Sequence, residues 1–152
     1  MREMLSFSHV GINVRNLEAS RRFYERIGFK TLLEADLQDP AMAPLFALPY
    51  FKFARFAFLE LPNTRTPTRL DLVEWHDPQA VGEVPKNCLA MGLPRFSFQV
   101  SDIQKIYTEL KAEGVEFVAP PAGQGFLLTV ARDPDGYLVE FFDQNMIPQY
   151  IP

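Results

Sequence analysis

Cysteine is nearly missing: Cys88 is the single one in 152 residues. It has no partner for an internal disulfide and no His or Cys beside it in sequence, so an ordinary residue rather than a nucleophile is expected there. A basic excess is missing too. The net charge of −4 and pI near 5.2, with Lys and Arg scattered along the chain, argue against a nucleic-acid partner. Long apolar runs are absent: no segment approaches the ~20 apolar residues of a membrane span. The opening Met-Arg-Glu meets Ser and His before any run of signal-peptide length. Together these absences predict a soluble, cytoplasmic protein with no membrane or nucleic-acid partner.

Apolar residues make up 47% of the chain, with 14 Phe and only 22% charged residues, so a packed core is expected and a dominant disordered segment is not. The stretch "SFSHVGINV", Ser6 to Val14, alternates like a strand. A helix follows, with Asn16 as N-cap, Leu17, Phe23, Tyr24 and Ile27 as its apolar stripe and Gly28 as its stop. "FKTLLEAD", "FKFARFAFLEL" and "RLDLVEW" read as three further strands. The Pro- and Gly-containing segment from Asp77 to Met91 reads as a linker. After it the order recurs: "LPRFSFQV", a helix capped by Asp102 and stopped by Gly114, then "VEFVAP", "FLLTVARD" and "YLVEFFD", the last two joined by the turn "DPDG".

Val14 against Val100, Leu17 against Ile103 and Gly28 against Gly114 all differ by 86 positions, so the two halves read as a βαβββ duplication. At that offset His9 falls on Arg95. Matching "LVEW" to "LVEF" sets Glu74 against Glu140 at an offset of 66, with an insertion around "LQDPAMAPLFALPYF" in the first half. Strand alternation puts His9 on one face with Phe7, Gly11 and Asn13, and Val10, Ile12 and Val14 on the helix-covered face. Arg95, Ser97 and Gln99 likewise share a polar face, opposite Phe96, Phe98 and Val100. Glu74 and Glu140 each interrupt an apolar strand pattern, where a carboxylate needs an ion pair, hydrogen bonds or a metal. Asn13, Ser97, Gln99 and Thr129 are candidate polar contacts to a ligand.

The segments "SHVGINVRNLEASRRFYERIGF", "FSFQVSDI" and "DPDGYLVEFFD" resemble the vicinal oxygen chelate superfamily, which includes glyoxalase I, methylmalonyl-CoA epimerase, extradiol dioxygenases and bleomycin-resistance proteins. The resemblance runs from Leu5 to Asp143. It implies an α+β fold in which two paired βαβββ modules, residues 5–76 and 92–143 joined by linker 77–91, form a curved, incomplete β-barrel around a cavity, with the helices outside. It also implies a small-molecule ligand or substrate and a homodimer. By this resemblance His9, Glu74 and Glu140 take metal-ligand places, and Arg95 stands where a fourth ligand, usually histidine, would be. Guanidinium has no lone pair to give and stays protonated. A metal-free site is therefore favoured, in which Arg95 supplies one positive charge and a protonated His9 a second against the two carboxylates; the plainer alternative for Arg95 is a structural ion pair with Glu140 or Glu74. The competing expectation is a divalent ion (Mn, Fe, Mg, Zn or Ni) on His9, Glu74 and Glu140 with water completing the shell; His76 is either a stand-in for the missing histidine or a solvated residue at the strand end.

The function implied is lyase or isomerase chemistry of the glyoxalase and epimerase kind, with Glu140 or Glu74 as base and Arg95 holding an oxyanion. The alternative is a metal-free protein that sequesters a small molecule, as bleomycin-resistance proteins do, on the aromatic surface of Phe51, Phe53, Phe56, Phe58 and Phe126. Extradiol cleavage is disfavoured because Arg95 removes a ligand for iron.

Overall fold

The structure is a computed structural model that describes residues 7–64, 66–93, 95–124 and 127–143. The chain divides into two compact units, one ending at Gly82 and the other starting at Glu83. The first holds β1 (Val10–Asn13), α1 (Leu17–Arg26), β2 (Lys30–Leu37), β3 (Phe53–Leu61) and β4 (Thr68–Asp77). The second holds β5 (Arg95–Val100), α2 (Ile103–Ala112), β6 (Phe117–Ala122), β7 (Leu128–Arg132) and β8 (Leu138–Asp143). Each unit has one four-stranded mixed sheet, ordered β1-β4-β3-β2 and β5-β8-β7-β6, and neither sheet closes on itself. The expected α+β class and doubled βαβββ order are both present. Phe126 lies outside the described residues. Among the described residues no helix is long and apolar enough to cross a membrane.

The helix ends follow the local sequence. Asn16 Oδ1 accepts from the Ala19 N–H at 2.9 Å, and Asp102 Oδ1 accepts from the Lys105 N–H at 2.9 Å, so each helix starts on a side-chain cap. Past the C-termini, Gly28 and Gly114 turn the chain at φ of +113° and +86°, a region closed to most L side chains. Leu17, Ser20, Phe23 and Tyr24 bury the inner stripe of α1 against its sheet, where Ile12, Ala57, Leu59, Leu70 and Leu72 complete the core. On the outside, Arg21 bridges Glu18 at 2.6 Å and Glu25 at 2.7 Å, which ties successive turns of the helix together.

The pairing register decides which side chains leave the helix-covered face. The edge strand β1 runs parallel to β4, with Val10 opposite Leu70, Gly11 opposite Asp71 and Ile12 opposite Leu72. In the second unit β5 runs parallel to β8, with Phe96 opposite Val139, Ser97 opposite Glu140 and Phe98 opposite Phe141. Gly11 and Ser97 keep the 86-position offset, so the counterpart of Glu140 is Asp71, at an offset of 69. The expected match of Glu74 to Glu140 is thereby corrected. It follows a shared "LVE" string that sits three residues out of register. Because three is odd, the slip also moves the carboxylate to the other face of the sheet.

The inserted segment between β2 and β3 forms two short 3-10 turns, Pro40–Met42 and Pro44–Phe46. Ala43 and Phe51 from this segment are buried with Ala54, and Leu37, Met42, Val73 and Trp75 pack against them. The insertion therefore closes over one end of the first unit's open face.

Candidate functional site

In the first unit, the face away from α1 carries His9, Gly11 and Asn13 from the β1 segment, Asp71, Val73 and Trp75 from β4, and Phe56 and Phe58 from β3. His9 is exposed, immediately before β1. Its Nδ1 lies 3.0 Å from Ser8 Oγ, and its ring meets Phe58 edge-on at 5.1 Å. Two positions along the same face is Asp71, whose Oδ1 is buried with no hydrogen-bond partner among the described residues. Burial pushes the Asp71 carboxyl above the usual aspartate range, and the positive charge available on His9 pulls it part of the way back. A partnerless carboxylate oxygen costs free energy at a purely structural position, and strained groups of this kind cluster at functional sites.

Further along, Trp75 Nε1 donates to Asn13 Oδ1 at 2.7 Å, which fixes the plane of the indole. The Trp75 ring meets Phe46 at 5.2 Å and 88° and Phe51 at 5.6 Å and 80°, an edge-to-face cluster. Asn13, Phe46, Leu48, Trp75 and residues 78–81 line a cavity of about 280 Å³. None of these lining side chains is charged. The inserted segment thus supplies part of a ligand-sized wall that is otherwise built on strands.

Glu74 and His76 stand together, as their spacing predicts, with His76 Nε2 3.5 Å from Glu74 Oε1, but on the α1 side of the sheet. Glu74 Oε2 accepts from the Leu17 N–H at 3.0 Å, so the carboxylate serves the amino end of α1, where the helix dipole favours negative charge. His76 stacks on Phe53 at 4.9 Å. Register parity thus separates Glu74 and His76 from His9. Thr129 is a second correction. It pairs with Phe141 on the helix-side face, is 2% exposed, and donates its hydroxyl to the Ala119 carbonyl at 2.8 Å. That bond falls where the β6–β7 register shifts, so the side chain fills a gap in the ladder and is not turned to a ligand.

In the second unit, Arg95, Ser97 and Gln99 share a face with Glu140, as alternation predicts. Arg95 Nε donates to Glu140 Oε2 at 3.0 Å, and the Ser97 hydroxyl donates to Oε1. The Glu140 side chain is 11% exposed and both of its oxygens are bonded. Glu140, and after it the Cys88 side chain, raise the Arg95 pKa further, so the guanidinium is cationic at every working pH.

These residues do not fit the divalent metal that the resemblance implies. A metal site needs at least three donors with free lone pairs. The open face of the first unit offers two, His9 and Asp71. In the second, Arg95 has no lone pair to give, which leaves Glu140, held by Arg95 on one oxygen and Ser97 on the other, as the one donor on that face among the described residues. Among the described residues no three His, Cys, Asp or Glu side chains gather as ligands would.

Asp71, Trp75, Phe46 and Leu48 are the site residues that sequence reasoning misses. For Asp71 a signal existed: "RLDLV" also interrupts an apolar alternation with an acid, and a common parallel register for the two modules selects it over Glu74.

Known proteins share this architecture. Residues 6–141 match the family model described as Glyoxalase/Bleomycin resistance protein/Dioxygenase superfamily. The uncharacterized protein YurT of Bacillus subtilis (strain 168) is 36% identical over 94 residues, which cover 61% of this chain and 72% of that protein. Among solved structures, a glyoxalase family protein from Bacillus cereus superposes with a TM-score of 0.82 at 21% identity, covering 93% of this chain and 95% of the other. One from Enterococcus faecalis superposes with a TM-score of 0.68 at 25% identity, covering 91% and 97%. With the doubled βαβββ order and a family match over most of its length, the chain belongs to the Glyoxalase/Bleomycin resistance protein/Dioxygenase superfamily.

Proposed function

We propose that this protein is a small-molecule lyase or isomerase of the glyoxalase and epimerase kind that moves a proton without a divalent metal. The observation that carries the proposal is Asp71 Oδ1, buried and partnerless on the open face beside His9. A carboxylate made more basic by burial is suited to take a proton from carbon next to a carbonyl, and its cost in the resting protein is recovered when a substrate proton reaches it. Asp71 replaces Glu74 as the base in this scheme. His9 carries the compensating charge: when protonated it favours the ionised form of Asp71 and offers an N–H to a developing oxyanion.

In the second unit Glu140 acts as a positioning residue for Arg95, and Ser97 holds the other carboxylate oxygen. Arg95 has five N–H donors, of which Nε goes to Glu140, and the guanidinium takes the place of a ligand histidine as a source of positive charge for a substrate oxygen. Gln99 and Asn13 are the polar contacts on their respective faces. The proposal extends to a homodimer, which its family often forms and which light scattering in solution tests.

The test is solvent exchange. Small 2-oxo and 2-hydroxycarbonyl compounds are incubated in D2O with the protein stripped of metal by chelator, and C–H signals are followed by proton NMR. Loss of signal in wild type, slowed about 10²-fold or more in Asp71→Asn, is the expected result. Exchange that appears only after metal is added back would refute the metal-free mechanism.

A second function, sequestration of a small molecule without turnover, is favoured by the aromatic cluster of Trp75, Phe46 and Phe51. Saturable binding with no exchange in any compound would select it.

A further inference from the structure

We infer that the cavity beside Trp75 holds a neutral, planar ring system of one or two fused rings, and that this ring is the recognition element of the protein's small-molecule ligand. The assignment rests on the proposal that the open face of the first unit receives that ligand.

Shape supports it first. Trp75 is held by its bond to Asn13 and meets Phe46 and Phe51 in edge-to-face contacts, so the aromatic part of the cavity wall is fixed in place. Fixed aromatic walls favour flat partners, which gain offset or edge contacts beyond simple area burial and lose little internal freedom on binding. Charge supports it next. Among the described residues no charged side chain lines the cavity, so a carboxylate or ammonium seated against it would find no ion to pair with. Size sets the limit, since about 280 Å³ accommodates one or two rings. Asp71 lies four residues before Trp75 on the same strand face, about 13 Å away. A ring seated in the cavity would therefore need a polar arm to bring its reactive oxygen to Asp71, and the ring would confer specificity without taking part in the chemistry.

Trp75 is the single tryptophan of the chain, so its indole N–H gives one unambiguous resonance in a ¹H–¹⁵N spectrum. We would titrate the full chain with coumarin, with coumarin-3-carboxylate as an anion of nearly the same shape, and with 1,2-hexanediol as a neutral molecule without a ring. The expected result is a saturable shift of the Trp75 resonance with coumarin, and half-saturation at about tenfold higher concentration or more for the other two. Phe46→Ala should weaken coumarin about tenfold, and Leu48→Ser provides a second test of the wall if the first variant does not fold. No saturable shift with coumarin, equal binding of its carboxylate, or unchanged coumarin binding in both variants would overturn the assignment. Asp71→Asn should keep the shift. In the wild type, no C–H exchange in any compound with the shift intact refutes the proton-transfer proposal alone, and exchange without the shift refutes the ring assignment alone.

Discussion

Asp71 and Glu140 occupy equivalent places in the two modules, opposite Gly11 and Ser97 on the parallel neighbour strand, yet one is satisfied and the other is not. Glu140 has Arg95 on one oxygen and Ser97 on the other, whereas Gly11 gives Asp71 no side chain to bond. The duplication supplies two carboxylates, and the residues across the strand pair decide that one anchors a cation and the other keeps an oxygen without a hydrogen-bond partner among the described residues.

That difference predicts a stability cost. The folded state raises the Asp71 pKa above its unfolded value, so the unfolded chain ionises first as pH rises. Asp71 costs nothing below its unfolded pKa, where both states hold the proton. Its cost grows as pH rises through the raised folded value and is complete above it. Asp71→Asn should therefore be more stable than wild type by about 1 kcal/mol at neutral pH, with the difference shrinking toward zero in acid. Urea denaturation of both proteins from pH 3 to pH 8 checks the sign, and a variant less stable at neutral pH would contradict it.

The Arg95–Glu140 pair predicts the opposite behaviour on truncation. Removing Arg95 leaves a nearly buried carboxylate with Ser97 as its remaining partner. Arg95→Ala should cost about 1–2 kcal/mol, a value reduced because the Arg95 side chain is 43% exposed. The double variant Arg95→Ala, Glu140→Gln should recover part of that loss. A thermodynamic cycle in which the two substitutions simply add would show that the ion pair contributes no coupling.

Glu74 should behave as a structural group. Glu74→Ala deprives the Leu17 N–H of its acceptor and removes negative charge from the amino end of α1, at a cost of about 1 kcal/mol. Coumarin binding at Trp75 and any exchange activity should stay within about twofold of wild type, because Glu74 points to the other face. A loss of activity larger than the loss of stability explains would return Glu74 to the site.

Much of the fold is legible in the residues because its determinants are local. Asn16, Gly28, Asp102 and Gly114 mark both helices by capping and turn chemistry within a few residues. Alternation alone places His9 with Asn13, and Arg95 with Ser97 and Gln99, on the faces they occupy. What was not legible depended on partners distant in sequence. Thr129 reads as a polar contact until the irregular β6–β7 pairing gives its hydroxyl a carbonyl to bond. The aromatic cavity needs Phe46 from the insertion to meet Trp75 from β4, and no local pattern brings them together.

By itself the sequence determined an α+β duplication, its helices and strands, the exclusion of Arg95 from metal ligation and the superfamily. These follow from side-chain periodicity, backbone conformational preference and the chemistry of guanidinium. Tertiary structure decided which carboxylate of "RLDLVEW" shares a face with His9. Parallel pairing of β1 with β4 is a non-local choice of register, and in a strand a shift of three residues carries a side chain from one face to the other. That register turned Glu74 toward α1 and left Asp71 on the open face, its Oδ1 buried with no hydrogen-bond partner among the described residues.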